Sequence, residues 1–129
     1  YADYYDSTFE PIDERNPIIA QPEYKASITA SNYILKVGGS YKLLKVNITD
    51  DSNIDVTNTY SDATFEWKCF IENEDITDIV IWLKQKEFNN IKIKFPDDRI
   101  FLGQTLHVIC NITSDIRNLS ASFDFELSI

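Results

Sequence analysis

The sequence predicts an all-β fold, a sandwich of seven to eight antiparallel strands. Three observations carry this. First, Ser120 to Ile129 alternates strictly, with Ala121, Phe123, Phe125, Leu127 and Ile129 as its apolar positions, which is the period of a half-buried strand. The same period recurs at Leu106-Val108-Cys110, Ile91-Ile93-Phe95 and Phe65-Trp67-Cys69. Second, polar turn clusters separate these runs at the spacing of sandwich strands. Third, no helix-crossover rhythm interrupts them, which disfavours a parallel α/β fold. A strand with one apolar face must close that face against a second sheet. The eight Phe, seven Tyr and two Trp suit such an inter-sheet core.

In chain order, residues 1–23 read as an acidic, aromatic N-terminal arm or linker. Pro11, Pro17 and Pro22 break any regular element there. Tyr1, Tyr4, Tyr5 and Phe9 are unusual for a pure tether, so the arm reads either as a docking strip or as a partly ordered tail. The sandwich is expected over 24–129. Lys25 to Ser31 presents Ala26, Ile28 and Ala30 on one face. Tyr33 to Val37 is a short second strand, and Gly38-Gly39 predicts a hairpin turn into Ser40–Thr49. That long strand points Leu44, Val46 and Ile48 inward. Asp50 to Asn53 is a turn, Ile54 to Thr57 a short edge segment, and Asn58 to Asp62 a loop. Ala63 to Ile71 is the tryptophan strand, followed by a connection over Glu72–Thr77. Val80 to Leu83 is continuously apolar and fits a strand or a brief helical turn. Asn89-Asn90 turns into Ile91–Phe95, and Pro96-Asp97-Asp98 turns again. Gln104–Thr113 and the alternating C-terminal run complete the set.

The chain of 129 residues suits one domain with a tail. Its net charge is −9, which repels phosphate and anionic lipid, so neither nucleic acid nor a membrane surface is an expected partner. Six acids against Arg15 alone fall within residues 1–23, so the charge is uneven. The chain begins at Tyr1 and reads as a fragment or a processed product. No signal peptide and no apolar run of membrane length is visible.

No pattern of catalytic residues emerges, and a non-enzyme is expected. Trp67 on a central strand reads as a core anchor, and Trp82 beside a probable edge reads as a core plug or a contact residue. Cys69 and Cys110 fall on strands expected to be neighbours in one sheet, so two buried thiols are favoured over an inter-sheet bridge. Two Cys and one His do not make a four-ligand zinc site. His107 is out of phase with Leu106 and Val108 and should face solvent. No nucleophile elbow accompanies it. Asp50-Asp51-Ser52-Asn53-Ile54-Asp55 offers calcium-type oxygens but lacks the glycine and the distal Glu of a calcium loop, and reads as a solvated turn. The triplets starting at Asn47, Asn111 and Asn118 match the glycosylation pattern, and in an Asn-rich chain they carry no weight. No metal, cofactor or small-molecule substrate is expected.

The order of elements is distinctive. Ile34-Leu-Lys-Val-Gly-Gly-Ser-Tyr, Asp55-Val-Thr, Phe65-Glu-Trp-Lys, Asn90-Ile-Lys-Ile-Lys-Phe and Phe101-Leu-Gly-Gln-Thr-Leu resemble bacterial immunoglobulin-like domains of the invasin/intimin type. They are most similar to the version attached to structural proteins of tailed bacteriophages. Asp3-Tyr-Tyr-Asp-Ser-Thr-Phe-Glu-Pro resembles the segment joining a minor structural domain, of head-closure or head–tail connector type, to such a module. The two cysteines and the long Val80–Phe88 stretch depart from the usual pattern. The resemblance implies an immunoglobulin-like β-sandwich without catalysis, located in a virion assembled in a bacterial cytoplasm. Its partners would be capsid, connector or tail subunits, with Tyr4, Tyr5, Phe9 and Trp82 as contact residues. The alternative from a different class is a recognition module, on a virion or a bacterial surface, that binds carbohydrate or a host protein through Trp82 and Tyr60.

Overall fold

A computed structural model of the protein describes residues 23–129. Nearly all of the expected arm, with Tyr4, Tyr5 and Phe9, lies outside the described residues. The expected all-β sandwich is present. Its strands are β1 (Lys25–Thr29), β2 (Ile34–Lys36), β3 (Lys42–Thr49), β4 (Thr64–Ile71), β5 (Glu74–Asp75), β6 (Ile81–Lys84), β7 (Asn90–Lys94), β8 (Thr105–Thr113) and β9 (Leu119–Ser128). One sheet has the order β1-β3-β7-β6, and the other β2-β9-β8-β4-β5.

The alternation that predicted the strands also builds the core. Leu44, Val46 and Ile48 of β3 and Ile91 and Ile93 of β7 face Leu106, Val108, Cys110 and Ile112 of β8 and Phe125 and Leu127 of β9, all of them buried. Successive side chains point to opposite faces, so a sequence period of two becomes one inward row per strand. The row ends where the strand does: Ile129, one residue past β9, is 74% exposed.

Three local expectations are corrected. Nine strands form among the described residues rather than seven or eight, and one pairing is not antiparallel: β2 runs parallel to β9, with Ile34 opposite Glu126. Gly38-Gly39 is therefore not a hairpin turn, because β2 and β3 belong to different sheets. The pair carries the chain across the sandwich instead. Gly38 has φ +71° and donates its N–H to Phe95 O at 3.0 Å. A Cβ on Gly39 would lie 2.7 Å from Lys36 Cβ. The residue types were diagnostic of a tight bend, but the partner of β2 was set by distant residues. The third correction is the connection over Glu72–Thr77. It holds a hairpin, with Ile71 opposite Glu74 across Glu72 (φ 50°) and Asn73 (φ 68°). Positive φ at both central residues is the geometry whose twist matches flanking strands. Glu-Asn is a poor sequence signal for it.

The segment expected as an edge strand at Ile54–Thr57 makes a single bridge, Thr49 to Asp55, and then a 3-10 turn over Thr57–Tyr60. It is fastened by an Asp-x-Thr clasp. Thr57 N and Thr57 Oγ1 both donate to Asp55 Oδ1, at 2.9 and 2.6 Å, while Thr57 Oγ1 accepts Ile48 N–H at 2.9 Å. The β3–β7 ladder stops at Lys45 opposite Asn90, so the hydroxyl satisfies a strand donor that β7 no longer reaches. The same device recurs after β5. Thr77 N and Oγ1 donate to Asp75 Oδ1 at 2.9 and 2.6 Å, and Thr77 Oγ1 accepts Cys69 N–H at 3.0 Å. Of the two readings for Val80–Leu83 the strand forms, as β6 over Ile81–Lys84, with Val80 buried just before it. Asn89 pins the β6–β7 turn through Nδ2 to Val46 O at 2.8 Å.

Candidate interaction surface

β4 and β8 are hydrogen-bonded neighbours, with Trp67 opposite Cys110 and Cys69 opposite Val108. This places both thiols on the inner face of one sheet, in diagonal positions. Both are free and fully enclosed. Burial pushes the Cys110 thiol up to about 12 and raises Cys69 further, with Asp75 adding to the latter. A thiolate is the reactive form, so these cysteines pack as small apolar groups.

Trp67 is only partly buried. It packs against Trp82 with ring centroids 6.2 Å apart and planes at 43°. The Trp82 indole N–H donates to Thr77 O at 3.0 Å. A second pair, Phe65 and Phe88, lies alongside with centroids 5.7 Å apart. These four rings form a seam between β4 of one sheet and the β6–β7 edge of the other. Trp82 is therefore a half-buried plug, held in place at both its ring and its nitrogen. Beside the seam runs an open groove of about 340 Å³, lined by Phe65, Trp67, Lys84, Glu87, Phe88 and Asn90 among others. Its size sits at the bottom of the roughly 300–1,000 Å³ range of small-molecule sites. Asn90 Oδ1 is buried there without a hydrogen-bond partner among the described residues.

Tyr60 is 1% exposed, and Tyr24 meets its ring edge-on at 6.0 Å. Burial raises its phenol, with Tyr24 adding to the rise. The enclosure corrects its placement as an exposed stacking ring. The alternating phase of Phe65-Trp67-Cys69 gave no such warning for Tyr60, which lies in the 3-10 turn outside any strand.

His107 sits opposite Asp124 across β8 and β9, and its Nδ1 hydrogen-bonds the Asp124 carboxylate. The two side chains are 44% and 59% exposed, so the pair is a solvated cross-strand contact of small energetic weight. In the Asp50 loop, Oδ1 accepts Ser52 N–H at 2.8 Å and Ile54 N–H at 3.0 Å. Asn53 takes φ 63°. That carboxylate closes its own turn. Of the three glycosylation triplets, Asn47 reaches across to Thr29 Oγ1 at 3.3 Å, and Asn118 Oδ1 accepts Ser114 N–H at 3.1 Å. No helix among the described residues is long and apolar enough to cross a membrane. Of the sequence-predicted contact residues, Trp82 lies in the seam, and Tyr4, Tyr5 and Phe9 lie outside the described residues. In comparison with known proteins, no family model and no curated protein matches the chain.

Proposed function

We propose that the chain is a non-enzymatic structural module of a tailed-bacteriophage virion, an immunoglobulin-like domain at or near the head–tail connection. The observation that carries this reading is where the sandwich places its reactive and stacking groups. Both thiols are enclosed in the core, the Trp82 nitrogen is bound to Thr77 O, and Tyr60 is sealed under Tyr24. Groups that would serve chemistry elsewhere serve cohesion here. The strand order supports the immunoglobulin-like part of the reading: β1-β3-β7-β6 has the connectivity of strands A-B-E-D, and β9-β8-β4 that of G-F-C. The sequence resemblance supports the virion part. The partners are capsid, connector or tail subunits.

The carbohydrate-binding alternative has less support, since Tyr60 is enclosed and one side of Trp82 is occupied by Trp67. The deciding experiment is to image virions carrying the full protein beside virions lacking residues 24–129. Loss of a discrete density at the head–tail region is expected. Identical maps there would defeat the proposal.

A further inference from the structure

The two sheets are oppositely charged. The strands of the β1-β3-β7-β6 sheet read Lys-Ala-Ser-Ile-Thr, Lys-Leu-Leu-Lys-Val-Asn-Ile-Thr, Asn-Ile-Lys-Ile-Lys and Ile-Trp-Leu-Lys, with six lysines and no acid. The strands of the other sheet hold Glu66, Glu74, Asp75, Asp124 and Glu126 against Lys36 and Lys68. In a chain of net charge −9, a four-stranded sheet free of carboxylates is a strong segregation.

The outer face of that sheet is ordered in two rows. Ile81 lies opposite Lys94, whose ammonium sits 5.5 Å from the centre of the Tyr41 ring. Leu83 lies opposite Lys92, which lies opposite Leu43. Each row is thus apolar, cationic, apolar. The four apolar members are 39% to 44% exposed, on a face where outward positions are normally polar. The lysine stems extend the apolar surface while their ammonium groups stay in water.

We propose that this face is a docking surface for an acidic polypeptide segment of a partner protein, one that carries aromatic side chains. The charge complementarity selects acid, because the charged side chains that these four strands turn outward, Lys25, Lys45, Lys92 and Lys94, are all cationic. The interleaved apolar rows select rings or aliphatic groups between the acids, which a simple polyanion does not offer. A sugar–phosphate strand would satisfy the lysines and leave Leu43, Ile81 and Leu83 uncovered. The inference rests on this face and holds whether or not the virion reading does.

The test uses the full chain and poly(Glu,Tyr) as the acidic aromatic probe, with poly-Glu and oligo(dT) as controls, read by calorimetry and by amide shifts in NMR. The expected result is saturable, salt-sensitive binding of poly(Glu,Tyr), with shifts concentrated on β3, β6 and β7 and poly-Glu bound several-fold more weakly. The double variant Lys92→Glu/Lys94→Glu should lose about tenfold or more in affinity. Leu43→Ser/Leu83→Ser should lose the preference for poly(Glu,Tyr) over poly-Glu. All four substituted side chains point outward, and circular dichroism verifies that each variant is folded. Absence of binding, unchanged affinity in the folded lysine variant, or equal binding of oligo(dT) would each overturn the proposal. Binding that emerges only when Asp3, Asp6 and Glu10 are replaced by Asn, Asn and Gln would also overturn it, assigning the face to the chain's own leading segment.

Discussion

Replacing Thr57 with Val tests the Asp-x-Thr clasp. The two side chains are nearly isosteric, so no cavity is created and the cost falls on the hydroxyl. In the folded protein that hydroxyl accepts Ile48 N–H at 2.9 Å and donates to Asp55 Oδ1 at 2.6 Å, and Thr57 is 7% exposed. Removing it strands the Ile48 N–H in a buried position. An unsatisfied buried donor costs about 1–3 kcal/mol, and that is the expected loss at neutral pH. For a domain of this size, each kcal/mol lowers Tm by roughly 4–8 °C. The substitution also has a pH signature. The side-chain bond from Thr57, and then its backbone bond, hold the Asp55 carboxyl below the ordinary value of 3.8. A carboxyl depressed in the folded state stabilises the fold above its unfolded pKa, and that contribution fades as pH falls through the folded value. Thr57→Val removes the larger of the two bonds. The gap in stability between wild type and variant should therefore be widest at neutral pH and narrow below about pH 4, down to the residue left by the stranded Ile48 N–H. Urea denaturation at a series of pH values measures both quantities. A loss under about 0.5 kcal/mol at pH 7, or a gap that widens in acid, refutes the reasoning.

Other outcomes follow from the same structure. Thr77→Val should show the same pH trend through Asp75, whose carboxyl is likewise depressed by Thr77, with a smaller loss because Thr77 is only partly buried; parallel denaturation curves compare the two. Cys69 and Cys110 should resist a thiol reagent at pH 8 and react at once in guanidinium, as their enclosure and raised pKa values require; fast labelling of the native protein would count against the packed core. Gly39→Ala should destabilise through the 2.7 Å approach to Lys36 Cβ. Gly103→Ala, with φ +83° and nothing within 4 Å of its Cβ, should cost only the left-handed backbone penalty of about 1–2 kcal/mol. Thermal melts of the two separate steric from conformational cost. Trp82→Phe should free the Thr77 carbonyl and expose Trp67, seen as a red shift in the remaining tryptophan fluorescence; an unshifted spectrum would argue that the two rings do not shield each other.

The sequence by itself determined which side chains face inward. A period of two is a local property, so Leu44-Val46-Ile48, Ile91-Ile93-Phe95 and Leu106-Val108-Cys110 were readable without knowing any partner strand. The sandwich followed from the same pattern, whereas the neighbouring of the two cysteine strands was read from an assumed immunoglobulin-like topology. The tertiary structure alone decided which strands pair. β2 carries a hairpin-like glycine pair behind it, yet it leaves β3 for β9, because long-range apolar contacts outweigh the local turn preference. The Glu72-Asn73 hairpin forms on an unpromising dipeptide because Phe70 and Ile71 fix its strands. Tyr60 is sealed by Tyr24 from thirty-six positions away in sequence, beyond the reach of any window. The segregation of charge between the two sheets was invisible for the same reason. Lys25, Lys45, Lys92 and Lys94 are scattered in sequence and share one outer sheet face only once strand order gathers them side by side.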